Sequence, residues 1–411
     1  MNIFTLFKKK INFSIPLWLL LLLLLTAYAG WEIYWFTQVG LAFIKWHTHF
    51  MLFVYLWLAG MLLLSFNPNQ KHKENFMLSF SVLVFMLLAT EVALHFTGFN
   101  KTYLEKRSNQ YQSLYGNKSN DFIRAYSPEQ LHYLKTPEYN YPRQANSYGF
   151  SDEEWVADTS KILIQTYGDS FTEGDGAPAD SSYPAMLRTL LGKNFQVQNY
   201  GICGNDPGFY VPQFGKVGSR FQPDAIVLCY GTGDLMADFF SKGGLERFYK
   251  GGWRSRKGPW WEVVYGTSYL SRLFFHAFGI EYGKFFLSDK DIALQLKAMA
   301  PQWNNIFAEI GRLAQSHNIK VLLFKKPERS EIVRAEYQYN MAFFDTFLLQ
   351  HPIFHHADLM PFYRDSAGMV SNETTAPYYW PKDGHHNSKG YAVMARGVHS
   401  ALKSKLPELG E

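Results

Sequence analysis

Ser170, in the stretch YGDSFTEGDG (167–176), is the residue from which nucleophilic chemistry in this chain would start. It follows an apolar run, KILIQTY, and stands between Gly168 and Gly174. A serine hydroxyl is a weak nucleophile at neutral pH and needs a base within hydrogen-bond reach. A histidine can supply that base, and a carboxylate then fixes its tautomer and stabilises the imidazolium. The same serine also reads as a helix cap after a strand. Serine is among the best N-caps, and Glu173 stands three residues further on, as in a capping box. Choosing between these readings requires a base, an orienting carboxylate and an oxyanion hole from elsewhere in the chain.

The elements that would position such groups follow from apolar patterning. Buried strands are expected at 161–167, 195–200, 223–230 and 319–325, with a short fifth at 353–359. Helical patterns at 183–191, 304–318, 334–350 and 387–406 fall between or after them. Alternating strand and helix predicts a parallel sheet covered on both faces, and such sheets bind ligands at the carboxyl ends of their strands. The loops there are rich in chemistry: Gly168–Ser170 after the first strand, NYGICGND (199–206) after the second and GTGDLMAD (231–238) after the third. PKDGHHNSKGY (381–391) precedes the last helix.

These blocks resemble the SGNH, or GDSL-type, hydrolase superfamily over about residues 140–405: GDSFTEG matches its first block, NYGICGN its second and DGHHN its last. NSYGFSDEE (146–154) is similar to a stretch ahead of the serine in membrane-tethered bacterial members. The resemblance implies an α/β fold, a flavodoxin-like three-layer α/β/α sandwich with a parallel sheet. It also implies an acyl-Ser170 intermediate, with Asp383 orienting the histidine and Gly204 as the oxyanion glycine. The usual spacing D-x-x-H selects His386, whereas the distance to the following GY pair favours His385. Asp169 reads as a brace for the turn, its side chain accepting from backbone amides.

The third block departs from the pattern. Where the family carries an asparagine whose side chain donates to the oxyanion, this chain has Gly233, or Asp234 if the register shifts by one. Glycine has no side-chain donor, and an ionised aspartate repels an oxyanion. Losing one such donor typically costs ~10²–10³ in turnover. No cofactor and no metal are expected. The other histidine-rich stretch, HHAD (355–358), is the alternative that would make the paired histidines metal ligands.

Composition bounds the rest. Of 411 residues 47% are hydrophobic and 18% aromatic, which excludes disorder. The net charge of +5 is scattered, with no nucleic-acid module, so no nucleic-acid partner is expected. Two cysteines, Cys203 and Cys229, exclude a disulfide framework and read as buried thiols. Three apolar segments, about 14–36, 47–66 and 76–98, approach the ~20 residues needed to cross a bilayer. Basic flanks at FKKK and NQKHKEN place both of those ends in the cytoplasm and the large domain outside. A signal peptide ending at AYAG (27–30) is the competing reading of the first segment. Glu91 and His95 share one face of the third segment, and pairing between helices is the expected use of them.

The expected organisation is therefore a membrane anchor over 1–99, a packed linker over 100–155 and a hydrolase domain over 156–411 with an insertion at 235–300. The Trp/Arg/Lys run at 250–261 is suited either to a sugar or bilayer surface or to a solvated loop. The resemblance and the tether imply a multi-pass protein of the bacterial inner membrane. Its substrate would be an acylated, O-acetylated cell-envelope polysaccharide, cleaved by an esterase or used by an acyltransferase. The alternatives are a lipid-directed esterase, or a non-catalytic fold that binds glycan or an envelope protein partner in an export complex.

Overall fold

The computed structural model describes residues 125–240, 268–278, 289–367 and 371–409, helices within 46–65 and 70–97, and short pieces at 20, 22–31, 34 and 244–245. The chain forms two compact units, one of 1–107 with 255–288 and one of 108–254 with 289–411.

The larger unit begins with an antiparallel pair, β1 (Leu131–Lys135) and β2 (Asn140–Gln144). A five-stranded parallel sheet follows, of β3 (Ile162–Tyr167), β4 (Phe195–Asn199), β5 (Ala225–Tyr230), β6 (Lys320–Lys325) and β7 (Phe354–Asp358). Their spatial order is β4-β3-β5-β6-β7. The chain leaves β3 for β4 on one side and returns to β5 on the other. That reversal opens a crevice beyond the carboxyl ends of β3 and β5, where doubly wound sheets bind ligands.

Burial on both faces explains the near-continuous apolar strands. All six residues of β5 are buried, and their side chains alternate between two cores. Ile226, Leu228 and Tyr230 pack with Trp303, Phe307 and Phe344. Val227 and Cys229 pack with Leu187, Tyr391 and Val398 from the helices Tyr183–Leu191 and Ser388–Lys405. Each large side chain buried this way contributes about 1.5–3 kcal/mol. Local signals fix the helix starts. Ser182 accepts from the Ala185 amide, and Asn387 accepts from the Lys389 and Gly390 amides. The layers are those of the expected α/β sandwich, and Cys203 and Cys229 are free and buried.

Some expected elements differ in detail. The helix expected over 334–350 is two helices, Arg329–Arg334 and Ala342–Gln350. The first ends at Ala335 in the left-handed conformation, φ 57°, and the Asn340 side chain accepts from the Ala342 amide to start the second. The described ends of the 235–300 stretch form regular elements. Its start, Asp234–Phe240, is a π-helix with Leu235 and Phe239 in the core. Its end already belongs to the long helix Asp289–Ser316, whose Trp303, Ile306 and Ile310 cover the sheet. The 250–261 run lies outside the described residues.

In the smaller unit, one helical segment, Glu74–Leu94, is long and apolar enough to cross a membrane, with mean hydropathy 2.2. Leu22–Trp31 and Phe53–Leu64 are shorter apolar stretches. The three full spans expected at 14–36, 47–66 and 76–98 are thus reduced to one among the described residues, and much of 14–36 lies outside them. Glu91 is buried and does pair with a helix, but from far along the chain. It accepts from the Ser268 hydroxyl at 2.8 Å and from the Tyr269 and Leu270 amides at 2.6 and 3.0 Å. It therefore satisfies the free N–H groups that open the helix Tyr269–Ala277. The side chain of His95 lies outside the described residues.

Candidate active site

Ser170 is the first residue of the one-turn helix Ser170–Glu173, directly beyond β3. Asp169 caps that helix, its Oδ1 accepting from the Phe171 amide at 2.9 Å, so the aspartate is a turn brace as well as a charge. The turn is tight enough that a Cβ on Gly168 would sit 1.9 Å from Thr172 Oγ1. Only glycine fits there. The serine reading and the cap reading thus come apart: Asp169 caps, and the Ser170 hydroxyl is left for another partner.

That partner is His385. Its Nε2 lies 2.7 Å from Ser170 Oγ, and its Nδ1 lies 2.5 Å from Asp383 Oδ1. The His385 amide also donates to that carboxylate, at 3.3 Å. Both side chains come from the turn between Trp380 and Asn387, which closes through Gly384 N to Trp380 O and Trp380 N to His385 O. Burial alone would lower the His385 pKa, but the Asp383 hydrogen bond and the charges of Asp175, Asp383 and Asp169 raise it above the ordinary value. Burial would likewise raise Asp383, yet His385 and the Tyr139 hydroxyl hold it below the usual carboxylate range.

His386 turns the other way. It is fully buried, with Nε2 2.7 Å from the Tyr363 hydroxyl and its ring stacked on Tyr363. Burial, with the nearby charges of Lys326 and His385, pushes its pKa well below the ordinary value. The structure brings Ser170, Asp383 and His385 together and does not bring His386 to the serine. His356 of the HHAD stretch meets the Tyr230 hydroxyl at 3.0 Å, and no group of three metal-ligating side chains occurs among the described residues.

Gly204, Gly233 and Asp234, the residues expected at the oxyanion, lie in the loops after β4 and β5. Gly204 follows β4 with φ 70°, in the left-handed region. Asp234 turns its carboxylate back to accept from the Gly231 amide, which fixes the loop after β5 and leaves that side chain no role as a donor. Gly233 has no side chain to offer.

Several contributors were not legible as site residues. Glu138 accepts from the amides of Lys382 and Asp383, the latter at 2.7 Å, and the Tyr139 hydroxyl donates to Asp383 at 3.0 Å. Arg143 on β2 donates to the carbonyls of Gly174 and Ala177 just beyond the serine helix. Buried Glu173 accepts from the hydroxyls of Tyr126 and Ser151 and from the Cys203 amide. The segment expected to be a packed linker therefore braces both halves of the site. Its sequence signal was the NSYGFSDEE stretch (146–154), which includes Ser151 but none of Glu138, Tyr139 and Arg143.

Sequence comparison agrees with this geometry. The model of the GDSL-like lipase/acylhydrolase family matches residues 166–393, more than half of the chain, from the end of β3 to the last helix. The chain belongs to the GDSL-like lipase/acylhydrolase family. It is an ester hydrolase of the SGNH type. No curated protein matches it in sequence. Solved structures similar to this GDSL-like hydrolase include the esterase EstA from Pseudoalteromonas sp., at 10% identity over 60% of this chain and 100% of that one, TM-score 0.33. An acetyl xylan esterase, AlAXEase, matches at 15% identity over 59% and 100%, TM-score 0.34. A lipase/acylhydrolase from Enterococcus faecalis matches at 15% identity over 59% and 96%, TM-score 0.33.

Proposed function

We propose that this hydrolase acts through an acyl-Ser170 intermediate on an acylated, O-acetylated glycan of the cell envelope, while held at a membrane by its apolar N-terminal region. The observation that carries the catalytic part is the unbroken relay from Asp383 through His385 to Ser170, at 2.5 and 2.7 Å.

His385 Nε2 takes the Ser170 proton as Oγ attacks the acyl carbonyl carbon. The amides of Ser170 and Gly204 stabilise the tetrahedral oxyanion. Ionised Asp383 holds the imidazolium, which then returns the proton to the leaving alcohol. Water, activated by the same histidine, resolves the acyl-enzyme in an esterase. A sugar hydroxyl in that place makes the same protein an acyltransferase.

The glycan reading is supported by aromatic rings beside the relay. Tyr139 stacks on Tyr141 and packs against Trp380, with ring centroids 5.8 and 5.4 Å apart, and Tyr141 and Trp380 are half-buried. Such rings present flat apolar faces with polar edges. The tether is supported by the Glu74–Leu94 helix. The test is acetate release from O-acetylated polysaccharide by the full chain in membranes, with Ser170→Ala as control. Release by the wild type alone supports the reading. Cleavage of long-chain lipid esters in preference to acetylated glycan would instead make it a lipid-directed esterase.

A further inference from the structure

The loop after β5 has neither an amide nor a hydroxyl side chain pointed at the serine, yet the room beside it is filled. A Cβ on Gly231 would lie 3.3 Å from Lys326 Nζ, and a Cβ on Gly233 would lie 3.2 Å from Glu328 Oε1. Both contacts are tighter than ordinary packing. The two glycines leave space that a pair of charged residues from the end of β6 takes up.

Lys326 reaches there from the next strand. Its amide donates to the Tyr230 carbonyl at 2.9 Å, which sets the backbone beside β5. Its side chain is 1% exposed, with Nζ 2.8 Å from Glu328 Oε1 and 3.9 Å from Asp169 Oδ2. The same ammonium lies 3.8 Å from the centre of the Phe171 ring. Lys326 thus touches the residues immediately before and after Ser170. Burial alone would lower its pKa, but the charges of Glu328, Asp169 and Asp234 raise it well above the ordinary lysine value.

Burying an ion pair is a poor route to stability, because desolvation offsets the attraction and an apolar pair of similar volume is often at least as stable. The site also has a charge problem. Asp169, Asp175 and Asp383 all act on His385, and a further negative charge must develop at its partner Ser170. A fixed cation within one residue of the nucleophile on either side offsets that field at a point where reorganisation costs nothing.

We infer that Lys326, held by Glu328, takes over the electrostatic task of the side-chain donor missing from the 231–234 loop and stabilises the oxyanion formed at Ser170. Lys326 acts as a positioning charge, beside the reacting atoms rather than bonded to them. The inference rests on the catalytic reading of Ser170.

The test compares the full chain with Lys326→Met, with the charge-neutral pair Lys326→Met/Glu328→Gln, and with Glu328→Gln alone. p-Nitrophenyl acetate serves as substrate and phenylboronic acid as an analogue of the tetrahedral adduct. In the double variant kcat should fall by about 10²-fold with KM nearly unchanged, and boronate affinity should fall in parallel. Glu328→Gln alone, which leaves the ammonium in place, should lose far less. A purely structural pair predicts the reverse: the double variant would regain wild-type kcat and boronate affinity, and that result overturns the inference. If Lys326→Met does not fold, the double variant still decides, because it removes the Glu328 carboxylate together with the ammonium, while Asp169 keeps its bond from the Phe171 amide. A wild type inert to a serine-directed fluorophosphonate would overturn the reading of Ser170 and this inference with it. A reactive wild type with an equally active double variant would overturn this inference alone.

Discussion

The Tyr139 hydroxyl donates to Asp383 Oδ1 at 3.0 Å, the same oxygen that holds His385 Nδ1 at 2.5 Å. A residue from the turn between β1 and β2, 244 positions earlier in the chain, thus shares in fixing the base. A hydrogen bond to a charged group is worth about 1.5–3 kcal/mol. Tyr139→Phe should lower kcat by about tenfold with little change in fold, measured by steady-state hydrolysis of p-nitrophenyl acetate.

The two adjacent histidines should separate cleanly. His385→Ala removes the base and should cut kcat by about 10⁶-fold while leaving a folded protein. His386→Ala removes the buried Tyr363 partner and should cost about 1–3 kcal/mol of stability in urea unfolding, with kcat reduced far less. Equal and small losses of rate in both would contradict the relay.

The pH profile should carry the mark of the raised His385 pKa. Only the neutral imidazole accepts the serine proton, so kcat/KM should fall with unit slope on the acid side. Its midpoint should lie above the 6.5 of an ordinary histidine. Asp383, held low by its partners, stays ionised across that range. Stability should move the opposite way. A histidine raised on folding stabilises the native state below its unfolded pKa, and that contribution is lost as pH rises through the folded value. Activity should therefore rise where the stabilisation from His385 fades, which paired rate and unfolding curves would show.

Glu173 anchors the serine helix to the segment before the sheet. Glu173→Gln keeps the volume but presents an amide nitrogen to donors from Tyr126, Ser151 and Cys203. The expected cost is about 1–3 kcal/mol in denaturant unfolding, with slower acylation of Ser170. Unchanged stability would mean that the carboxylate is not the hub of this contact.

Much of this was legible because the signals are local. The apolar run Ala225–Tyr230, the helical patterns at 183–191 and 387–406 and the blocks holding Ser170 and Asp383 all act within a few residues of themselves, although spacing left the base open between His385 and His386. What stayed hidden depends on contacts across long separations. Tyr139 and Arg143 sit in a polar stretch with no periodicity, and only the closed fold shows them beside Asp383 and the carbonyl of Gly174. Lys326 directly follows a strand in sequence, and its burial beside Ser170 follows from the β5–β6 register. The break at Ala335 was hidden for another reason. Alanine is a strong helix former, and its left-handed conformation here closes the helix end, with the Ala335 amide donating to the Ile332 carbonyl and the Glu336 amide to the Glu331 carbonyl.

The most direct measurement is labelling of the full chain in membranes with a fluorophosphonate probe, comparing wild type, Ser170→Ala and His385→Ala. Rapid labelling of the wild type, none of Ser170→Ala and strongly slowed labelling of His385→Ala is the expected result. A folded wild type that resists the probe, or one labelled as fast without His385, would contradict Ser170 as a nucleophile activated by His385.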